Sequence, residues 1–179
     1  MTVHNFSESL SRSHDMEDAP WWDVVYRKAF PGFLAAHSVR QDGWAQRGGI
    51  DRVIQLSSGK SVTVDEKIRM KSYPDILLEQ WSSAERRVPG WMQKDLACDF
   101  IAYAFVPDER CYLFPFLTLR RAWLENGRDW IELARENQDG FRRVEAKNVG
   151  YTTVSIAVPI PNLLAALHKA QIVDWSNHG

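Results

Sequence analysis

The sequence predicts an α/β domain, a mixed sheet flanked by helices, and three observations predict it. An opening segment carries apolar residues at helical spacing. A run of segments after it switches to a period of two. Helical and strand patterns then alternate towards the C-terminus. The chain has 179 residues, the size of one domain. A domain of this length buries roughly 70% of the surface its unfolded chain exposes, so it folds without disulfides or structural metal. Hydrophobic residues make up 45% and charged residues 25%, a globular profile, and eight Trp and eight Phe supply apolar area for a core. Residues 1–17 have few apolar positions and no period, and read as a flexible arm. Residues 18–179 read as a single domain.

The opening helix starts near Asp18, a suitable cap, with Pro20 in the first turn. Trp22, Val25, Ala29 and Phe33 recur at helical spacing, and Pro31 ends or kinks the helix. The stretch through Gly48-Gly49 reads as loop. Ile50 to Leu56 and Ser61 to Arg69 read as strands joined by the turn Ser57-Ser58-Gly59. Asp75 to Trp81 is a third strand. Ala97 to Val106 and Cys111 to Phe116 are strands about the turn Pro107-Asp108-Glu109. Leu117 to Glu136 reads as a helix interrupted near Asn126-Gly127, Tyr151 to Val158 as a strand, and Asn162 as the cap of a final helix carrying Leu163, Leu164 and Leu167.

Charge and cysteine usage bound the function. A net charge of −1 and a pI near 6.5 argue against a protein that binds nucleic acid over its whole surface, and leave room for a basic strip in a cleft. Cys98 and Cys111 lie in apolar runs with no C-x-x-C pair, and read as reduced core thiols rather than zinc ligands. The N-terminus has no apolar signal segment. The longest apolar run, Leu96 to Val106, is broken by Asp99 and too short to span a bilayer. A cytoplasmic location is expected.

The segment Gly49 to Arg69 carries the chemistry. Side chains alternate along a strand, so Ile50, Ile54 and Leu56 share one face while Asp51, Val53 and Gln55 share the other. On the second strand Val62, Val64 and Ile68 oppose Thr63, Asp65, Lys67 and Arg69. Matching apolar face to apolar face across a three-residue turn sets Asp51 opposite Asp65. Opposed residues have β-carbons about 5 Å apart, and carboxylates about 4 Å apart repel by roughly 4 kcal/mol at an effective dielectric of 20. Lys67 offsets part of this; a divalent cation would offset all of it. Mg²⁺ takes oxygen ligands, keeps several waters and needs one or two carboxylates. The alternative is a solvated hairpin face laced with salt bridges. Glu66 falls on the apolar face, where Arg52 can pair with it, and its side chain reads as structural.

At these residues the chain resembles the PD-(D/E)XK nuclease superfamily, whose pattern is an acid on one strand and (D/E)-x-K on the next. Asp51 matches the first acid and Asp65-Glu66-Lys67 the tripeptide. Ile50 stands where the pattern has Pro. The resemblance implies a restriction-endonuclease-like mixed sheet with an αβββαβ core: a helix, a three-stranded antiparallel meander, a helix and another strand. It implies Mg²⁺ or Mn²⁺ held by Asp51, Asp65 and the main-chain carbonyl of Glu66, with Lys67 assisting hydrolysis. Glu79, Glu17 and Asp23 are candidates for a further acid. Lys60, Arg69 and Lys71 flank the centre, and Arg69, Lys71 and Lys94 are the candidate nucleic-acid contacts, although each also reads as an ordinary solvated charge. Trp81 and Trp91 bracket a basic stretch where unpaired bases could stack, although packing is the more ordinary role.

The expected function is metal-dependent hydrolysis of DNA. DNA is the expected partner, no membrane is, and a homodimer stays open. The competing expectation is a non-catalytic domain of the same fold that binds nucleic acid or a protein.

Overall fold

The computed structural model describes residues 16, 18–167 and 171–174. The arm expected over residues 1–17 therefore lies outside the described residues, apart from Met16, and so does Glu17. Helix α1 spans Trp21–Ala29 and buries Trp22, Val25, Tyr26 and Ala29. Pro20, not Asp18, occupies its N-cap position, and no side chain caps it. Asp18 instead brings its carboxylate to 3.5 Å from the Arg52 guanidinium. The helix stops where Phe30 turns extended, one residue before Pro31. Phe33 therefore opens a strand, β1 (Phe33–Ser38), rather than extending the helical stripe.

The expected loop after it contains β1 and a short helix, α2 (Gly43–Arg47), capped by Asp42, whose carboxylate accepts the amides of Trp44 and Ala45. Strands β2 (Arg52–Leu56) and β3 (Ser61–Arg69) follow, then β4 (Asp75–Ser83) and β5 (Val88–Pro89). β6 (Phe100–Phe105) and β7 (Arg110–Pro115) flank a 3₁₀ turn ending at Glu109, whose φ is +47°. Helix α3 (Phe116–Glu136) is continuous. The break expected at Asn126-Gly127 does not occur. The Asn126 side chain donates to the Ala122 carbonyl, and Gly127 leaves room for Trp123, 3.0 Å from where a β-carbon would sit. β8 (Arg142–Asn148), β9 (Tyr151–Pro159), α4 (Ile160–Leu167) and β10 (Gln171–Asp174) are the last elements among the described residues. Asn162 lies inside α4 rather than capping it.

The strands form two sheets. The first is mixed, in the order β1-β2-β3-β6-β7-β10, with β3 and β6 parallel and the other neighbours antiparallel. The second is antiparallel, in the order β5-β4-β9-β8. β4 thus pairs with β9 and not with β3, which corrects its expected place as third strand of the meander. The meander is β1-β2-β3. Between β3 and the parallel strand β6 the chain runs through β4 and β5, where an αβββαβ order has a helix.

Strand alternation separates two cores. Ile54, Val64, Ala102, Ala104, Cys111 and Leu113 pack under α1. Ile101, Tyr103, Phe105, Tyr112 and Phe114, on the opposite face, pack against Ile76 and Leu78 of β4, Ile156 and Val158 of β9, and helices α3 and α4. The first sheet is therefore covered on both faces, by a helix on one and by the second sheet with two helices on the other. Both cysteines are free and buried. Among the described residues no helix is long and apolar enough to cross a membrane.

Candidate active site

The hairpin has the expected register. Arg52 faces Val64, Val53 faces Thr63, Ile54 faces Val62 and Gln55 faces Ser61. The Leu56 amide donates to the Lys60 carbonyl at 2.9 Å across the turn, and Gly59 there adopts a φ of +81°. At Asp51 the ladder slips. The Asp51 amide donates to the carbonyl of Val64, the residue already opposite Arg52, so two consecutive residues face one. Ile50, expected beside Ile54 and Leu56, consequently turns into the core on the other face of the sheet.

Asp51 and Asp65 still meet on the face turned away from α1. Asp51 is fixed from three sides: its carbonyl accepts the Val39 amide at 2.9 Å, its Oδ2 accepts the Glu66 amide at 2.8 Å, and its Oδ1 lies 3.2 Å from the Arg40 guanidinium. Asp65 is 4% exposed. It is buried rather than part of a solvated hairpin face. Lys67 donates to Asp65 Oδ1 at 2.6 Å and lies 5.7 Å from the centre of the Trp91 ring. Glu79 reaches the neighbourhood of Lys67 from β4 of the second sheet and accepts the Trp91 amide at 3.3 Å. Gly90 makes that close approach possible, because a β-carbon there would run into the Glu79 carbonyl.

Burial raises the Asp65 carboxyl to about 7. The Asp51 carboxyl adds to the rise through its charge and a shared hydrogen bond, and Lys67 pulls the other way. Burial alone would lower the Lys67 ammonium. The adjacent Asp65, with Asp51 and Glu79 behind it, outweighs burial and holds Lys67 above its ordinary value. Burial, followed by the charge of Asp65, pushes the nearby Cys98 thiol up to about 12, so it is an inert thiol at neutral pH.

The Glu66 side chain points to the opposite face, as its position in the strand predicts. It is fully buried there and takes Arg52 Nε at 2.7 Å, Arg40 at 2.6 Å and a short hydrogen bond from the Tyr26 hydroxyl. It is not available to a ligand in the cleft. Arg69 shares the Asp65 face as expected but is engaged elsewhere: it donates to the Tyr103 hydroxyl at 3.0 Å, stacks 4.2 Å over Tyr73, and lies 4.0 Å from Asp75. Lys71 and Lys94 are exposed, and Trp81 and Trp91 are half-buried. Asp23 is exposed on α1, across the sheet from the carboxyl pair. Arg40 carried no signal in the sequence, being one arginine in a stretch that reads as loop. A surface groove of about 320 Å³ beside α3, lined by Trp123, Gly127, Arg128 and Ile131, contains none of these groups.

The donor set suits a hard, hydrated cation. Two carboxylates held within hydrogen-bonding range repel unless a proton or cation lies between them, and Mg²⁺ needs no more than two. Among the described residues no group of three or more His, Cys, Asp or Glu converges in the manner of a metal cluster. Compared with known proteins, the chain matches no protein-family model, no curated protein and no solved structure.

Proposed function

We propose that the protein is a Mg²⁺-dependent phosphodiesterase acting on DNA, with Asp51 and Asp65 as the metal ligands and Lys67 as the residue that assists hydrolysis. One observation carries this reading. A buried carboxyl, Asp65, is held against a second, Asp51, with an ammonium at 2.6 Å on the same strand face. Support also comes from the D-x-K spacing and from the order α1-β1-β2-β3, a helix followed by an antiparallel meander with one acid immediately before its second strand and the other on its third. This is the opening of the core that the resemblance to PD-(D/E)XK nucleases implies. The crossover through β4 and β5 and the Ile50 in place of Pro are departures from it.

When bound, Mg²⁺ supplies a Lewis acid for a phosphoryl oxygen and makes a bound water more acidic. The chain's own residues do the remainder. Asp51, anchored by Arg40 and the Glu66 amide, presents a carboxylate of fixed direction. Asp65 gives up its proton when a cation takes its place, which opposes loading below neutral pH. Glu66 contributes only main chain. Lys67, a cation at neutral pH, donates hydrogen bonds to the phosphate and stabilises the charge that develops there, rather than accepting a proton. Trp91 and Glu79 limit where the ammonium can go.

The test is cleavage of single- and double-stranded DNA with Mg²⁺, Mn²⁺ or EDTA. Metal-dependent cleavage that falls by at least about 10³-fold in Asp65→Ala or Lys67→Ala is expected. Equal cleavage by the Asp65→Ala protein would refute the assignment.

A second reading, a non-catalytic domain of this architecture, is favoured by one feature. Each acid of the pair already has a cation, Lys67 on Asp65 and Arg40 on Asp51. Thermal unfolding with millimolar Mn²⁺ separates the two readings. A catalytic centre gains stability that Asp51→Ala abolishes, and a salt-bridge remnant gains none.

A further inference from the structure

Arg40 leaves the end of β1 at the residue after Val39, whose amide is bonded to the Asp51 carbonyl. Its guanidinium spans two acids on opposite sides of the hairpin's edge: one nitrogen lies 2.6 Å from Glu66 Oε2, the other 3.2 Å from Asp51 Oδ1. Glu66 is fully buried and bonded also to Arg52 and Tyr26, so it is a rigid seat. The Arg40 side chain is 17% exposed, which leaves it little freedom to swing away. The Glu66 amide holds the other oxygen of Asp51 from the side of the strand.

We propose that Arg40 is a positioning residue: seated on Glu66, it fixes Asp51 by one carboxylate oxygen, while the other, which already accepts the Glu66 amide, keeps a second lone pair for a divalent cation. This rests on the nuclease reading of the same site. Holding Asp51 has two consequences of opposite sign. The fixed positive charge and the occupied oxygen weaken metal binding, because like charges repel and a two-oxygen grip is denied. The fixed direction speeds the reaction, because small misplacement of a ligand is costly to turnover. Loss of Arg40 therefore tightens metal and slows catalysis. Ordinary structural damage weakens both.

The experiment measures the Mn²⁺ dissociation constant by electron paramagnetic resonance, without nucleic acid, and DNA turnover at saturating Mn²⁺. Arg40→Met is expected to bind Mn²⁺ about tenfold tighter and to turn over about tenfold or more slowly. Arg40→Lys keeps the charge but cannot span both acids, so its Mn²⁺ affinity stays near that of the unaltered protein while turnover falls. If Arg40→Met does not fold, the lysine variant carries the test through that split. Unchanged Mn²⁺ affinity in Arg40→Met, or affinity and turnover falling together in either variant, overturns the proposal. If the unaltered protein binds Mn²⁺ without cutting DNA and Arg40→Met still tightens the metal, the nuclease reading fails and the role of Arg40 stands. If the unaltered protein binds no Mn²⁺, both fail.

Discussion

At the scale of single residues, Asp65 sets the pH behaviour. Its carboxyl is raised to about 7 in the folded chain, chiefly by burial. Between the ordinary aspartate range and pH 7 the folded chain therefore holds a proton that the unfolded chain has released. Stability from this group is greatest at the acidic end and declines as pH rises through that window. Each tenfold change in proton affinity is worth about 1.4 kcal/mol, so ionising Asp65 beside Lys67, with no metal ion bound, costs on the order of a few kcal/mol. Asp65→Asn removes this dependence. Urea denaturation at pH 5 and pH 8 is expected to show the unaltered protein losing stability and the variant losing much less; parallel losses would contradict it. Glu66 is buried among two guanidinia and a tyrosine hydroxyl. Glu66→Ala strands those donors and is expected to cost about 3–5 kcal/mol in chemical denaturation. A cost under about 1 kcal/mol would place the network among inconsequential surface pairs.

At the scale of elements, Gly90 joins β4 to the centre. A β-carbon there would meet the Glu79 carbonyl oxygen and, at 2.6 Å, its carbonyl carbon, both backbone atoms that cannot swing aside. Gly90→Ala is thus expected to push the Trp91 segment off β4, cost about 2 kcal/mol or more, and alter Trp91 fluorescence as the ring leaves Lys67. A variant with unchanged stability and spectrum would show that the segment moves freely. The hairpin shows which parts of an element its own sequence makes legible. Alternation in Val62 to Arg69 and a three-residue turn suffice to pair β2 with β3 and to bring Asp51 and Asp65 to one face, because parity is a local property. What escapes is non-local. β1 is a half-exposed FLAAHS with no alternation, and β8, the edge strand RRVEAKN, is mostly exposed and charged. Neither carries a strand signal of its own. β4 reads correctly as a strand, yet its partner β9 begins some seventy residues away, and nothing in Asp75 to Ser83 specifies that choice. The bulge at Asp51 is invisible too, since it depends on the amides around it.

At the scale of the molecule, the candidate centre depends on the two sheets remaining docked. Asp51, Asp65 and Lys67 belong to the first sheet, and Glu79 to the second, with the Trp91 segment hydrogen-bonded to it. A single apolar core holds the sheets face to face: Ile101, Tyr103 and Phe105 from β6, Ile76 and Leu78 from β4, Ile156 and Val158 from β9. The Tyr103 hydroxyl also accepts the Leu77 amide, so a hydrogen bond crosses the same interface. Because β4 and β5 lie in the connection between β3 and β6, neither sheet is a contiguous stretch of chain, and neither can leave without unthreading the other. Unfolding is therefore expected to be one transition, with tryptophan fluorescence and far-ultraviolet circular dichroism tracing coincident urea curves. Ile76→Ala, a truncation at a side chain with no exposed surface, should shift both curves together by about 2–5 kcal/mol. If fluorescence instead reports an earlier step and Ile76→Ala moves that step alone, the second sheet detaches by itself. The burial that raises Asp65 would then be a property of a closed state in equilibrium with an open one, and the pH dependence argued for that residue would weaken under the same conditions that populate the open form.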